Sequence, residues 1–147
     1  MSFYVEITIP LPPQPKRRVR AAIMSGKVRT YQDPKTKRYE QSCAIYLRQS
    51  APSKPIGGSV ALDVCFFHER PKRLQQRTHR GKAVPDYAIH KSTRPDIDNL
   101  CKALADSLQI AGFYRDDGQL VFLSASDYYV ERGGQPRTDL IFSELGG

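Results

Sequence analysis

The sequence predicts an α/β domain of the α+β type: a mixed, mostly antiparallel sheet with two main helices. Three observations predict it. Apolar residues alternate with polar ones in several short segments, the period-two signature of strands with one buried face. They recur at helical spacing in two longer segments, over 34–49 and from Ile97 to Ala111. At 147 residues the chain has room for one domain with a hydrophobic core and not for two, so 1–147 reads as a single unit.

The elements follow in order. "FYVEITIP" alternates Phe3, Val5, Ile7 and Ile9 with Tyr4, Glu6 and Thr8 and opens the sheet. "LPPQPKRRVR" is a proline-rich loop ending in Lys16, Arg17, Arg18 and Arg20, kept extended by its prolines. "RAAIMSGKVRTY" predicts a hairpin turning at Ser25-Gly26. Asp33-Pro34 has the form of an N-cap with proline in the first turn, and Tyr39, Cys43, Tyr46 and Leu47 carry a helix to about Gln49. After the loop "APSKPIGGS", Val60, Leu62, Val64 and Phe66 mark a second core strand. Residues 68–93 carry seven Lys/Arg and little periodicity, which predicts a flexible basic arm. Ile97, Leu100, Leu104, Leu108 and Ala111 form one apolar helix face ended by Gly112. A turn at "RDDG" leads into the strand "QLVFLSASDYYVE", and "RGGQP" turns into the last strand, "RTDLIFSEL".

Charge is distributed unevenly along this order. Residues 1–50 carry a net +7 and 51–94 a net +6, whereas 95–147 carry −5. A basic surface with pI near 9.6 suits a polyanion such as nucleic acid, or simply a solvated surface. No apolar run approaches the roughly 20 residues of a spanning helix, and no signal peptide is evident, so a membrane role is not expected. Cys43, Cys65 and Cys101 are odd in number and lack Cys-x-x-Cys spacing, which predicts reduced thiols in a cytoplasmic protein. His68, His79 and His90 lie apart and do not read as a shared metal site.

The acidic C-terminal third holds "RPDIDNLCKALADSLQIAGFYRDD", with five carboxylates in 94–117. Pro95 disfavours helical geometry at Arg94, so the chain reaches Asp96 and Asp98 extended and turns helical soon after. Two carboxylates on one side of an extended stretch can share a hard cation; equally, one can be the helix N-cap and the other complement its dipole. Lys102 lies one turn after Asp98, in reach of a phosphate at the acids or in an ion-pair ladder from Asp98 to Asp106. Asp116-Asp117 returns near Asp96 and Asp98 only if the chain doubles back along the helix; otherwise it serves a turn. If the three acids converge, they repel unless a divalent cation neutralises them, as in metal-dependent phosphoryl-transfer sites.

Residues 94–120 resemble the signature of the RusA family of Holliday junction resolvases of bacteria and phages. The shared pattern is D-x-D-N-x-x-K followed, about one helix later, by an Asp-Asp pair. The resemblance implies a RusA-like nuclease fold and a cytoplasmic, homodimeric, Mg²⁺-dependent endonuclease, with Mn²⁺ as a possible substitute, cutting four-way DNA by paired symmetric nicks. It implies that Asp96, Asp98 and Asp117 are the essential carboxylates and metal ligands and Lys102 the catalytic lysine, with Asn99 and Asp116 in support. Expected phosphate contacts are Lys16, Arg17, Arg18, Arg20, Arg70, Lys72, Arg73, Arg77 and Arg80, with Tyr87 or Phe113 as stacking candidates. Relatives often have lysine near where this chain has Asp127. The competing functions are a non-catalytic basic nucleic-acid-binding module and a metal-dependent nuclease acting on other branched or single-stranded DNA.

Overall fold

A computed structural model describes residues 2–146 of the chain. In chain order the elements are β1 (Tyr4–Ile9), β2 (Arg20–Met24), β3 (Lys27–Tyr31), α1 (Pro34–Arg48), β4 (Val60–His68), α2 (Lys72–Gln75), β5 (Thr78–His79), β6 (Lys82–Ala83), β7 (Ile89–His90), α3 (Ile97–Ile110), a 3₁₀ turn (Asp117–Gln119), β8 (Leu120–Tyr129) and β9 (Arg137–Glu144). Five strands form the main sheet in the order β1-β9-β4-β8-β7. Every pairing in it is antiparallel except β4 with β8, which run parallel along their length. The predicted class holds.

Alternation decides which face is covered. Val60, Leu62, Val64 and Phe66 of β4, Leu140 and Phe142 of β9, and Ile7 and Ile9 of β1 all point into one core. Both main helices close over that face, α1 through Cys43, Ala44 and Leu47 and α3 through Leu100, Leu104 and Leu108. The opposite face is open and presents Glu6, Thr8, Asp63, Cys65 and Asp139.

Local chemistry sets the helix ends. Asp33 caps α1 by accepting the Lys35 amide at 2.8 Å, with Pro34 in the first turn. At the other end of α3, the Phe113 amide reaches Leu108 O and the Gly112 amide Gln109 O, both at 3.0 Å, a Schellman closure that needs the positive φ of Gly112. Phe113 is thereby driven into the core, 5.1 Å from Phe142 in edge-to-face contact. The expectation that Phe113 stacks on bases is corrected: its ring is fully buried.

The basic segment after β4 is built differently from the arm of little regular structure expected for 68–93. It contains α2, the small β5–β6 hairpin and β7, which joins the sheet edge by pairing with Tyr128 and Tyr129. Two arginines tie it down. Arg70, 5% exposed, donates to Val130 O, Leu74 O and Tyr87 O at 2.8, 2.8 and 3.0 Å. Arg132 donates to Asp86 at 2.7 Å and to Gln75 O at 2.7 Å. Arg70 thus corrects a second expectation, because a guanidinium committed to three carbonyls inside the protein is not free for a phosphate. Its neighbours Lys72, Arg73, Arg77 and Arg80 are exposed.

Replacing Arg70 by Met strands buried carbonyls, each worth about 1–3 kcal/mol. Urea denaturation is expected to show that loss, while the salt dependence of DNA binding stays as in the parent protein.

Candidate active site

Helix α3 presents the acidic segment. Asp96 occupies its N-cap position with extended backbone, and its carbonyl accepts the Asn99 and Leu100 amides at 3.1 and 3.2 Å. The Asp96 side chain makes no capping hydrogen bond, unlike those of Asp33 and Asp116. Its carboxylate is therefore exposed and uncommitted. Asp98 follows in the first helical turn, also exposed, so the pair straddles the helix start instead of sharing one side of an extended strand. The positive end of the helix dipole favours negative charge at this place.

Asp96 forms the ridge between two grooves. On one side, a cavity of about 470 Å³ is lined by Lys16, Arg17, Arg18, Arg94 and Asn99. On the other, a cavity of about 530 Å³ is lined by Lys91, Thr93, Ile97, Ser126 and Asp127. The basic loop is fixed to the first groove through its backbone: the Lys16 amide donates to Asn99 O at 3.0 Å and the Arg17 amide to Thr36 Oγ1 at 3.0 Å. Arg17, Arg18 and Arg94 remain exposed. Arg94 was not singled out from the sequence, although its position two residues before Asp96 was the available signal.

The other two loop cations are paired with carboxylates of the protein, Lys16 partly buried and Arg20 exposed. The Lys16 ammonium bonds to Asp106 and lies 3.4 Å from Glu40, and Arg20 Nε donates to Asp33 at 2.8 Å. Burial pulls the Lys16 pKa down, but its hydrogen bond to Asp106 and the charge of Glu40 outweigh that and leave it raised. Burial lifts the Glu40 carboxyl above its ordinary value, against the hydrogen bond from Gln32 and the charge of Lys16. Because Asp106 is taken by Lys16, the ladder from Asp98 through Lys102 to Asp106 does not form. Lys102 has no salt bridge among the described residues and lines a third cavity with Asp106, Tyr114 and Asp117.

The Asp-Asp pair lies at the far end of α3. Asp116 caps the short 3₁₀ turn, accepting the Gly118 amide at 3.0 Å, while Gln119 reaches back to the Asp116 amide at 2.9 Å. Asp117 is exposed and accepts a hydrogen bond from the Gln109 side chain. Lys102 thus stands between the two acidic groups, one turn from Asp98 and in the same cavity as Asp117. Among the described residues, no three His, Cys, Asp or Glu side chains are grouped closely enough to hold a metal ion. Asp96 and Asp98 stand at the start of α3, and Asp117 stands beyond its end, on Gln109.

Behind Asp96, three side chains remote in sequence meet with little exposure to solvent. His68 Nε2 lies 2.7 Å and Lys91 Nζ 3.8 Å from the Asp127 carboxylate, and the Lys91 and Asp127 side chains are only 5% and 8% exposed. The Lys91 ammonium also donates to Thr93 O at 2.7 Å and Arg94 O at 3.0 Å. It holds the loop that delivers Asp96, and Asp127 supplies its countercharge. Burial, with Asp98 and Asp127 nearby, pushes the Cys101 thiol up to about 11, and burial does the same to Cys43, so neither is a thiolate nucleophile at neutral pH.

Comparison with known proteins bears on the same residues. The family model described as endodeoxyribonuclease RusA matches residues 10–140, nearly the whole chain and all of the site above. The chain belongs to the RusA family. Relatives of similar length include the uncharacterized protein YqaN of Bacillus subtilis (strain 168), 29% identical over 141 residues covering 96% of both chains. The crossover junction endodeoxyribonuclease RusA of Enterobacteria phage 82 is 31% identical over 140 residues, covering 95% of this chain and 94% of its own. The protein of that name from Escherichia coli (strain K12) is 29% identical over the same length and coverage.

Two outcomes follow from the buried charges. Lys91→Met is expected to speed amide hydrogen exchange in 92–97 while β1 and β9 stay protected; unchanged exchange there means that Lys91 does not hold the loop. A raised folded-state pKa at Glu40 means that the native chain retains a proton there that the unfolded chain has released. Its contribution is therefore full below the ordinary value of 4.5 and is lost as pH rises through the folded value. Thermal melting across pH 4–8 should show this decline in the parent protein and a flatter profile in Glu40→Gln.

Proposed function

We propose that this RusA-family endodeoxyribonuclease resolves four-way DNA junctions by paired symmetric nicks, as a Mg²⁺-dependent homodimer serving recombination and repair. The observation that carries the reading is the Asp96 carboxylate, free of any capping duty and bordered by a groove of exposed arginines. A non-catalytic module would use that carboxylate as a cap, as the chain does with Asp33 and Asp116.

The donor set suits a hard cation: oxygen ligands only, exposed, with room for water. Asp96 and Asp98 would hold Mg²⁺, and Mn²⁺ fits the same donors. When bound, the metal would polarise the phosphate and ease deprotonation of the attacking water. Lys102, one turn on, presents an unpaired ammonium to charge building on the phosphate oxygens. Arg17, Arg18 and Arg94 hold the flanking backbone without reading bases.

Asp117 is the third carboxylate, and Gln109 restrains it in the single chain. We assign its engagement to the assembled, DNA-bound enzyme. Support for a dimer comes from the outer edge of β8, which β7 covers only at Tyr128 and Tyr129. Immediately after the Asp-Asp pair, that edge exposes Val121 and Phe122 at 59% and 58%, an open apolar strand of the kind that pairs with a second chain. Two-fold pairing matches the approximate two-fold symmetry of a junction. The names of the relatives, crossover junction endodeoxyribonucleases, agree with this substrate.

The test incubates four-way, forked and linear DNA with the protein in Mg²⁺ and in EDTA. Paired nicks in the four-way substrate alone, lost in EDTA, are expected. Asp98→Asn should lower cleavage by at least about a hundredfold, the scale of losing a principal electrostatic contributor, while binding is kept. Full-rate nicking by that variant would falsify the metal assignment, and equal cutting of forked DNA would make the enzyme a general branch nuclease.

A further inference from the structure

The hairpin of β2 and β3 is the longer of the two that lie outside the main sheet, the two-residue strands β5 and β6 forming the other. It turns at Ser25 and Gly26, both with positive φ, and among the described residues its strands pair only with each other. All its residues are exposed except Ala22, which is half-buried. Two-stranded ribbons are marginal alone in water, so an unpacked one points to something that covers it.

Its register sorts the side chains into two unlike faces. Ala22 opposite Arg29, Met24 opposite Lys27 and Arg20 opposite Tyr31 share one face; Ile23 opposite Val28 and Ala21 opposite Thr30 share the other. The first face is cationic. The second is apolar, and Ile23 and Val28 are 79% and 72% exposed. Residues 7–32, which contain the ribbon and the loop before it, include six Lys/Arg and no Asp or Glu.

The root of the ribbon is fixed beside the candidate active site. Arg20 is held by Asp33, and the preceding loop is bonded to Thr36 and to Asn99 of α3. From there five-residue strands reach roughly 17 Å at about 3.3 Å per residue. A ribbon of this width fits a major groove.

We infer that this ribbon is the branch-point probe of the enzyme, an inference that rests on the junction substrate proposed above. Its cationic face lies along backbone phosphates, and Ile23 and Val28 press against base faces where strands diverge. Continuous duplex shows such a face only after unstacking, whereas a branch point offers it at lower cost. The same ribbon therefore favours branched over linear DNA without reading sequence. Charge complementarity selects DNA over a partner subunit as the occupant, because the ribbon carries only positive charge and each copy would bring the same.

The test compares the full-length protein with Ile23→Ser/Val28→Ser and, separately, with Lys27→Ala/Arg29→Ala. Binding is measured in EDTA to a four-way junction and a matched linear duplex, each with 2-aminopurine at the branch position or its equivalent. The parent protein should raise 2-aminopurine fluorescence in the junction. The serine variant should lose most of that rise and about tenfold of the junction-over-duplex preference, the scale of one stacked base. Its duplex affinity, sedimentation and melting should stay unchanged. The alanine variant should flatten the salt dependence of binding to both DNAs. If the parent prefers the junction and the serine variant prefers it equally, the ribbon assignment fails and the proposed function stands. A serine variant with an altered oligomeric state gives the apolar face to the partner subunit and overturns the inference. A parent protein with no junction preference overturns both readings.

Discussion

Lys16 joins the two halves of this protein that chemistry requires to be close. Its amide is bonded to the first turn of α3, and its ammonium lies between Glu40 of α1 and Asp106 of α3. Three segments remote in sequence meet at one partly buried cation: the basic loop, the first helix and the acidic helix. Burying Glu40 without that countercharge would leave an unpaired carboxylate among apolar neighbours, a costly arrangement that the raised pKa of Glu40 already foreshadows. The contact places Arg17 and Arg18 beside Asp96. Without it the loop would be one more solvated basic stretch, and the carboxylates would face water.

The same logic divides the cations of the chain into two groups with different work. Lys16, Arg20, Arg70, Lys91 and Arg132 are bonded to carboxylates or backbone carbonyls of the protein itself. Arg17, Arg18, Lys27, Arg29, Arg94 and Lys102, near the carboxylates or on the ribbon, are exposed and form no salt bridge among the described residues. A structural arginine gains from hydrogen bonding in a poorly solvated place, where its fork can satisfy several carbonyls at once. An arginine meant for a phosphate must stay hydrated and unpaired until the ligand arrives. Net charge does not distinguish the two; the presence or absence of a partner within the protein does.

That distinction explains what could be read in advance. The β2–β3 turn, the cap of α1, the apolar stripe of α3 and the closing Gly112 were legible because each rests on neighbours within one or two turns. The alternation of Val60, Leu62, Val64 and Phe66 predicted a buried face, and that face forms the centre of the sheet. The parallel pairing of β4 with β8 was not legible, since period-two alternation is the same for either direction. Arg70 and Lys91 were equally opaque. Nothing local separates an arginine that will bond Val130 O from one that will meet solvent, and Asp127 acquires its role only when β7 joins β8. The candidate site was legible as a set of residue types; its division between the two ends of α3 was not.

That division has a physical rationale. Three carboxylates held permanently at one point would repel one another in the free protein, raising the pKa of at least one and weakening the site for a cation. Keeping Asp117 on Gln109, with Lys102 between the acidic groups, avoids that cost before substrate is bound. In the proposed reaction, junction DNA would bring further negative charge, and a divalent cation would offset all of it together. On the proposed function, an enzyme whose acids gathered only with metal, DNA and partner present would have little capacity to cut in the free state. For a nuclease proposed to act at rare branched structures amid a large excess of linear duplex, the separation at rest and the ribbon inferred to favour a branch point would serve the same selectivity: the first would limit when charge can be gathered for hydrolysis, the second where the protein settles.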